Sequence, residues 1–136
     1  MATLALTVYR ALDLGPLPVG AINRTLGTEL EPGQVWLSTK AHEHAATDHP
    51  DDYPACLPRL ADAIASPAFV GQAPEHAGNF ILIKRIPATE PGQSVLVAIG
   101  LERDRRGDYR VKSFYRITAE RLNSFRTKGT VKPVRA

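Results

Sequence analysis

The fold is decided by residues 94–118, SVLVAIGLERDRRGDYRVKSFYRIT, which have the pattern of two strands around a tight turn. Residues 94–100 are almost all apolar, as is typical of a strand that is buried on both faces at the centre of a sheet. The turn follows at RRGD, residues 105–108, where Gly107 suits a hairpin. From Tyr109 onward apolar and polar residues alternate, as in a strand with one buried face. We therefore predict a β-hairpin at the centre of the sheet.

The sequence on either side of this hairpin predicts further strands and a final helix. Residues 79–86, NFILIKRI, have the pattern of another strand, and AFVG at residues 68–71 is a short extended piece. Residues 119–129, AERLNSFRTKG, suit a helix whose Leu122 and Phe125 point inward. Together these segments predict a four-stranded antiparallel sheet followed by a C-terminal helix.

The first half of the chain predicts helices with one short strand among them. Residues 15–27, GPLPVGAINRTLG, suit a helix, and QVWLS at residues 34–38 suits a strand. Ser38 is a good N-cap for the next helix, which must stop before Pro50 because a proline disfavours helix at the residue that precedes it. Residues 51–67, DDYPACLPRLADAIASP, predict another helix. Helices that precede an antiparallel meander make an α+β fold.

The length and composition favour a single domain over residues 1–136. The chain has 136 residues and is 43% hydrophobic, which suits one globular core. Residues 1–16 are expected to be either a poorly ordered or an accessory segment, since their pattern fits both a strand and a helical turn. No apolar run is long enough for a membrane span, no secretory leader is apparent, and the single cysteine suits a reducing compartment. We therefore expect a cytoplasmic protein, or one delivered to the cytoplasm of a target cell, with no membrane partner.

The positive charge of the chain is concentrated in its last third, although the net charge is only +3. Strict alternation in the last strand would place three cations and one aromatic ring on a single face: Arg110, Lys112, Phe114 and Arg116. Such a face suits a phosphodiester backbone with a stacked base, although a solvated outer surface has the same composition. Ser113 and Tyr115 would point the other way, and only a bulge in the strand would bring both sets into one groove.

Three of the four histidines lie close together in the segment AHEHAATDHP, residues 41–50. On a helix His42 and His49 share one face, whereas His44 shares another face with Asp48 and is expected to pair with it. The ligands do not converge as a zinc site requires, so we expect no metal and no other cofactor. Proton transfer near neutral pH suits imidazole, but solvated histidines at the surface of a helix are the alternative.

The order of these short motifs resembles a known nuclease superfamily. VGAIN, VWLS, a helix running into HP, LADAIASP and VKSFYRI follow one another as in the phage-associated nucleases of the barnase–EndoU–colicin E5/D–RelE superfamily, over residues 17–128. The resemblance implies α-helices that lead into a four-stranded antiparallel sheet. It also implies metal-independent cleavage of RNA, with tRNA as one candidate substrate and a cognate inhibitor or antitoxin protein as a candidate partner.

The resemblance also nominates site residues. His49 matches the histidine that follows the first motif strand, Ser38 and His42 match more loosely, and Ser113 falls where a late strand offers a hydroxyl. No glutamate stands where a barnase-type general base would, so the assignment of acid and base stays open. RNA supplies its own 2′-hydroxyl nucleophile, so the enzyme needs a proton acceptor, a proton donor and groups that hold the phosphate. The candidates for holding RNA and its phosphates are Lys84, Lys112, Tyr115 and Arg116.

A second class of function stays open at this point. The same fold can serve as a non-catalytic module that binds nucleic acid or protein, in which case the histidines are surface residues. The two functions differ in one structural feature, which is whether His49 and a basic side chain face a common cleft.

Overall fold

A computed structural model of the chain describes residues 8–73, 78–89 and 92–135, and its strands form one seven-stranded mixed sheet. The strands are β1 (Leu12–Pro16), β2 (Gln34–Leu37), β3 (Phe69–Gln72), β4 (Asn79–Ile86), β5 (Gln93–Gly100), β6 (Tyr109–Ile117) and β7 (Val131–Pro133). Their order across the sheet is β1-β2-β6-β5-β4-β3-β7. All neighbouring strands are antiparallel except β2 and β6, which are parallel.

The predicted hairpin is confirmed, but the predicted number of strands was wrong. β5 and β6 pair antiparallel at the centre, and β4 and β3 continue the meander as the sequence indicated. The sheet has seven strands rather than four because β1, β2 and β7 extend it. β1 contains Gly15 and Pro16 and β7 is only three residues long, so neither has the alternation that identifies a strand. Of the segment at residues 1–16, residues 1–7 lie outside the described part of the chain, and Leu12–Pro16 form β1.

The helices follow the predicted order with one interruption. They are α1 (Val19–Leu26), α2 (Thr39–Asp48), α3 (Tyr53–Cys56), α4 (Leu60–Ala65) and α5 (Ala119–Thr127). Gly27 ends α1 in the left-handed conformation, with φ of 69°. The Ser38 hydroxyl accepts a hydrogen bond from the Ala41 amide, which confirms Ser38 as the N-cap of α2, and α2 ends one residue before His49.

The helix predicted over residues 51–67 is broken in two. A 3₁₀ turn at Leu57–Arg59 separates α3 from α4. Pro58 lies inside this turn, and a proline has no amide hydrogen to donate and clashes with the preceding turn of an α-helix. The helices also do not all precede the strands, since β1 comes before α1 and β2 lies between α1 and α2.

The two faces of the sheet carry separate cores. On the inner face, α1 to α4 pack against side chains that include Leu82, Val95, Val97, Ile99 and Phe114. On the outer face, α5 packs through Leu122 and Phe125 against residues that include Ile83, Leu96 and Ile117. α5 lies mainly against β5 and β7, so it covers the β7 side of the outer face. Where β2 and the start of β6 form the outer face, the outward-facing residues are half-buried or exposed.

A close backbone contact between β3 and the segment before β7 gives a test of this topology. A Cβ atom on Gly71 would overlap the carbonyl oxygen of Thr130, and backbone atoms cannot move aside as a side chain can. We expect Gly71→Ala to lower the free energy of unfolding by about 1–3 kcal/mol, measured by urea denaturation. Gly78→Ala is the matched control, because a Cβ there would meet no atom within 4 Å. Equal stability of the two variants would contradict the pairing of β3 with β7.

Candidate functional site

Strand β6 contains a bulge at Lys112. Ser113 stands opposite Ala98 of β5. The next residue of β5, Ile99, stands opposite Val111, so Lys112 is an extra residue in β6. An extra residue of this kind disrupts the strict alternation of side chains between the two faces.

The bulge brings Lys112, Ser113 and Tyr115 onto the outer face together. The Lys112 side chain lies over Gly100, where an added Cβ would be 2.9 Å from Lys112 Cε. Gly100 lies two residues from Ala98 along β5 and so faces outward with it and with Ser113. The strict alternation that the sequence predicted, with Ser113 and Tyr115 facing away from Lys112, was therefore wrong.

The predicted ladder of cations does not form for the same reason. Phe114 is 1% exposed in the inner core, and Arg116 also faces inward. Arg116 Nε donates to Asp52 Oδ1 at 2.8 Å, and Arg116 Nη2 donates to the Asp51 carbonyl at 2.9 Å. The hydrogen bond to Asp52 raises the pKa of Arg116. Arg116 therefore ties β6 to the turn that follows α2.

Lys84 also lies on the inner face. It stands opposite Val95, which in turn stands opposite Arg116 on the next strand. Lys84 Nζ donates to the carbonyl and hydroxyl of Ser66, at 2.8 and 2.5 Å, and lies 3.5 Å from Asp62 Oδ2. These contacts stabilise the end of α4 and keep Lys84 away from the outer face.

Helix α2 lies beside a part of β6 that no described strand pairs with on that side. β2 pairs with β6 at Tyr109 and Arg110, and from Val111 onward this edge of β6 lies near α2 and α3. The ring of His49, at the C-terminal end of α2, has its centroid 6.1 Å from that of Tyr115. His49 therefore leans from the end of α2 toward the sheet.

A groove of about 360 Å³ lies between the start of α2 and β6. We call it the edge groove, and the residues that line it are Ser38, Lys40, Ala41, His44, Arg110, Val111 and Lys112. Three of these side chains carry positive charge at neutral pH, so the groove attracts anions. The histidine that shares this groove with the cations is His44.

His44 and Asp48 form the predicted pair across one turn of α2. His44 Nε2 lies 2.9 Å from Asp48 Oδ2, and the two side chains are 64% and 50% exposed. At this exposure the pair contributes little to stability, but it orients the ring. A carboxylate that accepts from Nε2–H leaves the lone pair on Nδ1, which is then available to accept a proton.

His42 has a different environment from the other two histidines. It is 6% exposed, with Nδ1 2.7 Å from the Arg10 carbonyl and Nε2 2.5 Å from the Tyr53 hydroxyl. A neutral ring satisfies both contacts when Nδ1–H donates to the carbonyl and Nε2 accepts from the tyrosine. Tyr9 packs edge-on against the same ring. His42 therefore joins the segment before β1 to α2 and α3.

The structure brings together some of the predicted site residues and separates the others. The ones along β6 and α2 on the accessible side are Ser38, His49, Lys112, Ser113 and Tyr115. The ones that lie elsewhere are His42, Lys84 and Arg116. The sequence analysis did not include Lys40 or His44 among the site residues. The signal for them was present, however, because a helix that begins after Ser38 places Lys40 and His44 one turn apart on the same side of α2.

Neither a metal cluster nor a membrane-spanning helix is found among the described residues. No group of three or more histidine, cysteine, aspartate or glutamate side chains in that part of the chain is placed to hold a metal ion. None of the helices described has the length and apolar character that crossing a membrane requires.

The chain matches a known protein family. The family model described as phage-Barnase-EndoU-ColicinE5/D-RelE like nuclease2 matches residues 21–132. The matched range begins inside α1, continues through α5, and includes every strand from β2 to β6. No curated protein and no solved structure matches the chain.

The partly buried contact between Tyr53 and His42 gives a test of the role of His42. Tyr53→Phe removes the hydroxyl and leaves His42 Nε2 without its partner. We expect a loss of about 1–3 kcal/mol in the free energy of unfolding, measured by urea denaturation. Tyr115→Phe is the matched control, since the Tyr115 hydroxyl makes no hydrogen bond within the described residues. A Tyr53→Phe variant as stable as the control would show that His42 is not held in this way.

Proposed function

Since the chain belongs to the phage-Barnase-EndoU-ColicinE5/D-RelE like nuclease2 family, we propose that it cleaves RNA without a metal ion, by attack of a 2′-hydroxyl on the adjacent phosphate. The observation that carries this proposal is the edge groove, where His44 shares one cavity with Lys40, Arg110 and Lys112. Cations hold a phosphate and stabilise the charge that develops on it, and a histidine beside it transfers a proton. The other residues of the site fit around this groove.

The proposed proton-transfer groups are His44 and His49. Both side chains are exposed. His44 lines the edge groove, and His49, which follows the last residue of α2, lies beside Tyr115 of β6. In this proposal the phosphate lies between the two rings, with the attacking 2′-oxygen toward one ring and the leaving 5′-oxygen toward the other.

The reaction uses the two rings in complementary states. Asp48 holds Nε2–H of His44, so Nδ1 of His44 accepts the proton of the 2′-hydroxyl as the bond from the 2′-oxygen to phosphorus forms. His49, in its protonated form, donates to the 5′-oxygen as the bond from phosphorus to that oxygen breaks. The products are a 2′,3′-cyclic phosphate and a free 5′-hydroxyl.

The remaining predicted residues take supporting roles in this proposal. Ser113 and Tyr115 share the outer face with Lys112, where their hydroxyls can donate to phosphate oxygens. Ser38 accepts from the Ala41 amide, which leaves its own hydroxyl hydrogen free to donate into the edge groove. His42, Lys84 and Arg116 support the fold around the site. A cognate inhibitor stays a prediction, and the basic edge groove is the surface that an acidic inhibitor protein would cover.

The first test is cleavage of nucleic acid by the purified protein. We expect it to cleave total RNA and bulk tRNA equally well with and without EDTA, and to leave 2′,3′-cyclic phosphate ends. Single-stranded DNA should stay intact, because it has no 2′-hydroxyl. Cleavage of DNA, or RNA cleavage that EDTA abolishes and a divalent ion restores, would contradict the proposal. Binding of RNA without any cleavage would favour the non-catalytic module.

The second test separates proton transfer from phosphate binding. We expect His44→Ala and His49→Ala each to lower the rate of RNA cleavage by roughly 10²- to 10⁴-fold with little change in RNA affinity. Lys112→Gln should weaken RNA binding and reduce the slope of its salt dependence by about one unit or less. Lys84→Gln is the matched control. It should change neither the RNA affinity nor the slope of its salt dependence, because Lys84 is held on the inner face. Normal cleavage by a folded His44→Ala variant would remove His44 from the mechanism.

A further inference from the structure

A second cavity adjoins the edge groove and contains the chain's single tryptophan. We call it the loop pocket; its volume is about 450 Å³, and it is lined by Ala11, Trp36, Ser38, Asp104, Arg105, Arg106, Asp108 and Arg110. Resting on the function proposed above, we propose that the loop pocket binds one unpaired nucleotide of the RNA, with its base stacked on Trp36 and a phosphate held by Arg105 and Arg106. The pocket would then select for single-stranded RNA next to the cleavage point.

Trp36 is presented toward this pocket by the strand that carries it. Its neighbours Val35 and Leu37 are fully buried in the inner core, so the Trp36 side chain faces outward. In the sheet Trp36 stands between Asp13 of β1 and Arg110 of β6. Trp36 is only half-buried there, and a partly exposed indole is a surface on which any nucleobase can stack.

The loop that carries Arg105 and Arg106 is ordered by one carboxylate. Asp104 Oδ1 accepts from the backbone amides of Arg106 and Asp108, at 2.9 and 3.0 Å, and Asp104 Oδ2 lies 3.3 Å from Arg110 Nη2. These hydrogen bonds, led by the one from the Asp108 amide, lower the pKa of Asp104. The carboxylate is therefore ionised at neutral pH, and its charge is used in holding the loop.

The same loop packs against the turn before β2. A Cβ atom on Gly33 would overlap the carbonyl oxygen of Gly107, so the two backbones are in direct contact. Arg103 Nη1 donates to the Pro32 carbonyl at 3.1 Å, and the Tyr109 hydroxyl donates to the Glu31 carbonyl at 2.6 Å. A loop held at both its ends and its middle loses little freedom when a ligand binds.

The positive charges in the loop pocket that form no ion pair favour binding of a phosphate. Arg105 and Arg106 are exposed, and their guanidinium groups make no ion pair within the described residues. Their only acidic neighbours in the pocket are Asp104, which Arg110 and the backbone already engage, and Asp108. An aromatic ring beside unpaired guanidinium groups matches a nucleotide, because a nucleotide offers a flat base for the ring and a phosphate for the guanidinium groups.

The position of the loop pocket relates it to the proposed cleavage site. Ser38 and Arg110 line both the loop pocket and the edge groove, so the two cavities are adjacent. A strand whose phosphate lies beside Lys112 can extend one nucleotide further and reach Trp36. A base inside a duplex cannot offer its face in this way, which is why the pocket predicts a single-stranded substrate.

Intrinsic fluorescence tests this proposal directly, because Trp36 is the only tryptophan. The probe is a single-stranded 2′-deoxy oligonucleotide, which the proposed reaction cannot cleave. We expect it to quench Trp36 emission with saturation, whereas inorganic polyphosphate should leave the emission unchanged even where it competes for the cations. Quenching by polyphosphate to the same extent, or binding of the oligonucleotide without quenching, would overturn the stacking of a base on Trp36.

Variants test the same contact by a second measurement. In binding of a labelled oligonucleotide, Trp36→Leu should weaken affinity by roughly 5- to 150-fold, the range for loss of one stacked base, while Trp36→Phe should lose far less. Arg105→Gln should reduce the salt dependence of binding, and Lys128→Gln, at the residue that follows α5, is the matched control. Equal affinity of the folded Trp36→Leu and Trp36→Phe variants would overturn the proposal. Because no step requires cleavage, failure of the ribonuclease activity would leave these results interpretable on their own.

Discussion

The site depends on the extra residue in β6. With strict alternation, Ser113 and Tyr115 would face the helices and compete with core residues for space, and Phe114 would point to solvent. The bulge instead lets Phe114 enter the inner core while Lys112, Ser113 and Tyr115 share the outer face. The bulge therefore serves two requirements at once, because it keeps a large aromatic ring out of water and collects the polar side chains on the accessible side.

The parts of the fold that the sequence predicted are those whose signals are local. Ser38 as N-cap, Pro50 as the stop of α2 and the hairpin at Gly107 each depend on the chemistry of one or two neighbouring residues. The features that it missed depend on contacts between distant segments. The pairing of β2 with β6 joins residues that lie more than 70 positions apart, and β7 is too short to show a period at all.

The histidines show the same division between local and distant causes. The pairing of His44 with Asp48 was predicted from spacing on a helix, and it is present. His42 and His49 were assigned to one helical face, but two residues outside the helix decide between them. The Arg10 carbonyl and the Tyr53 hydroxyl engage both nitrogens of His42, whereas His49 lies beyond the last turn of α2 and stays accessible. No periodicity within α2 could have distinguished a buried histidine from an accessible one.

The two outer edges of the sheet have a common feature with a consequence for self-association. β1 ends in Gly15 and Pro16, and β7 is three residues long and ends in Pro133. A proline cannot donate to a neighbouring strand, and short edge strands offer few groups to pair with, so both edges resist addition of a strand from another copy of the chain. A seven-stranded sheet with a strongly apolar centre can in this way remain free of the edge-to-edge stacking that leads to fibrils.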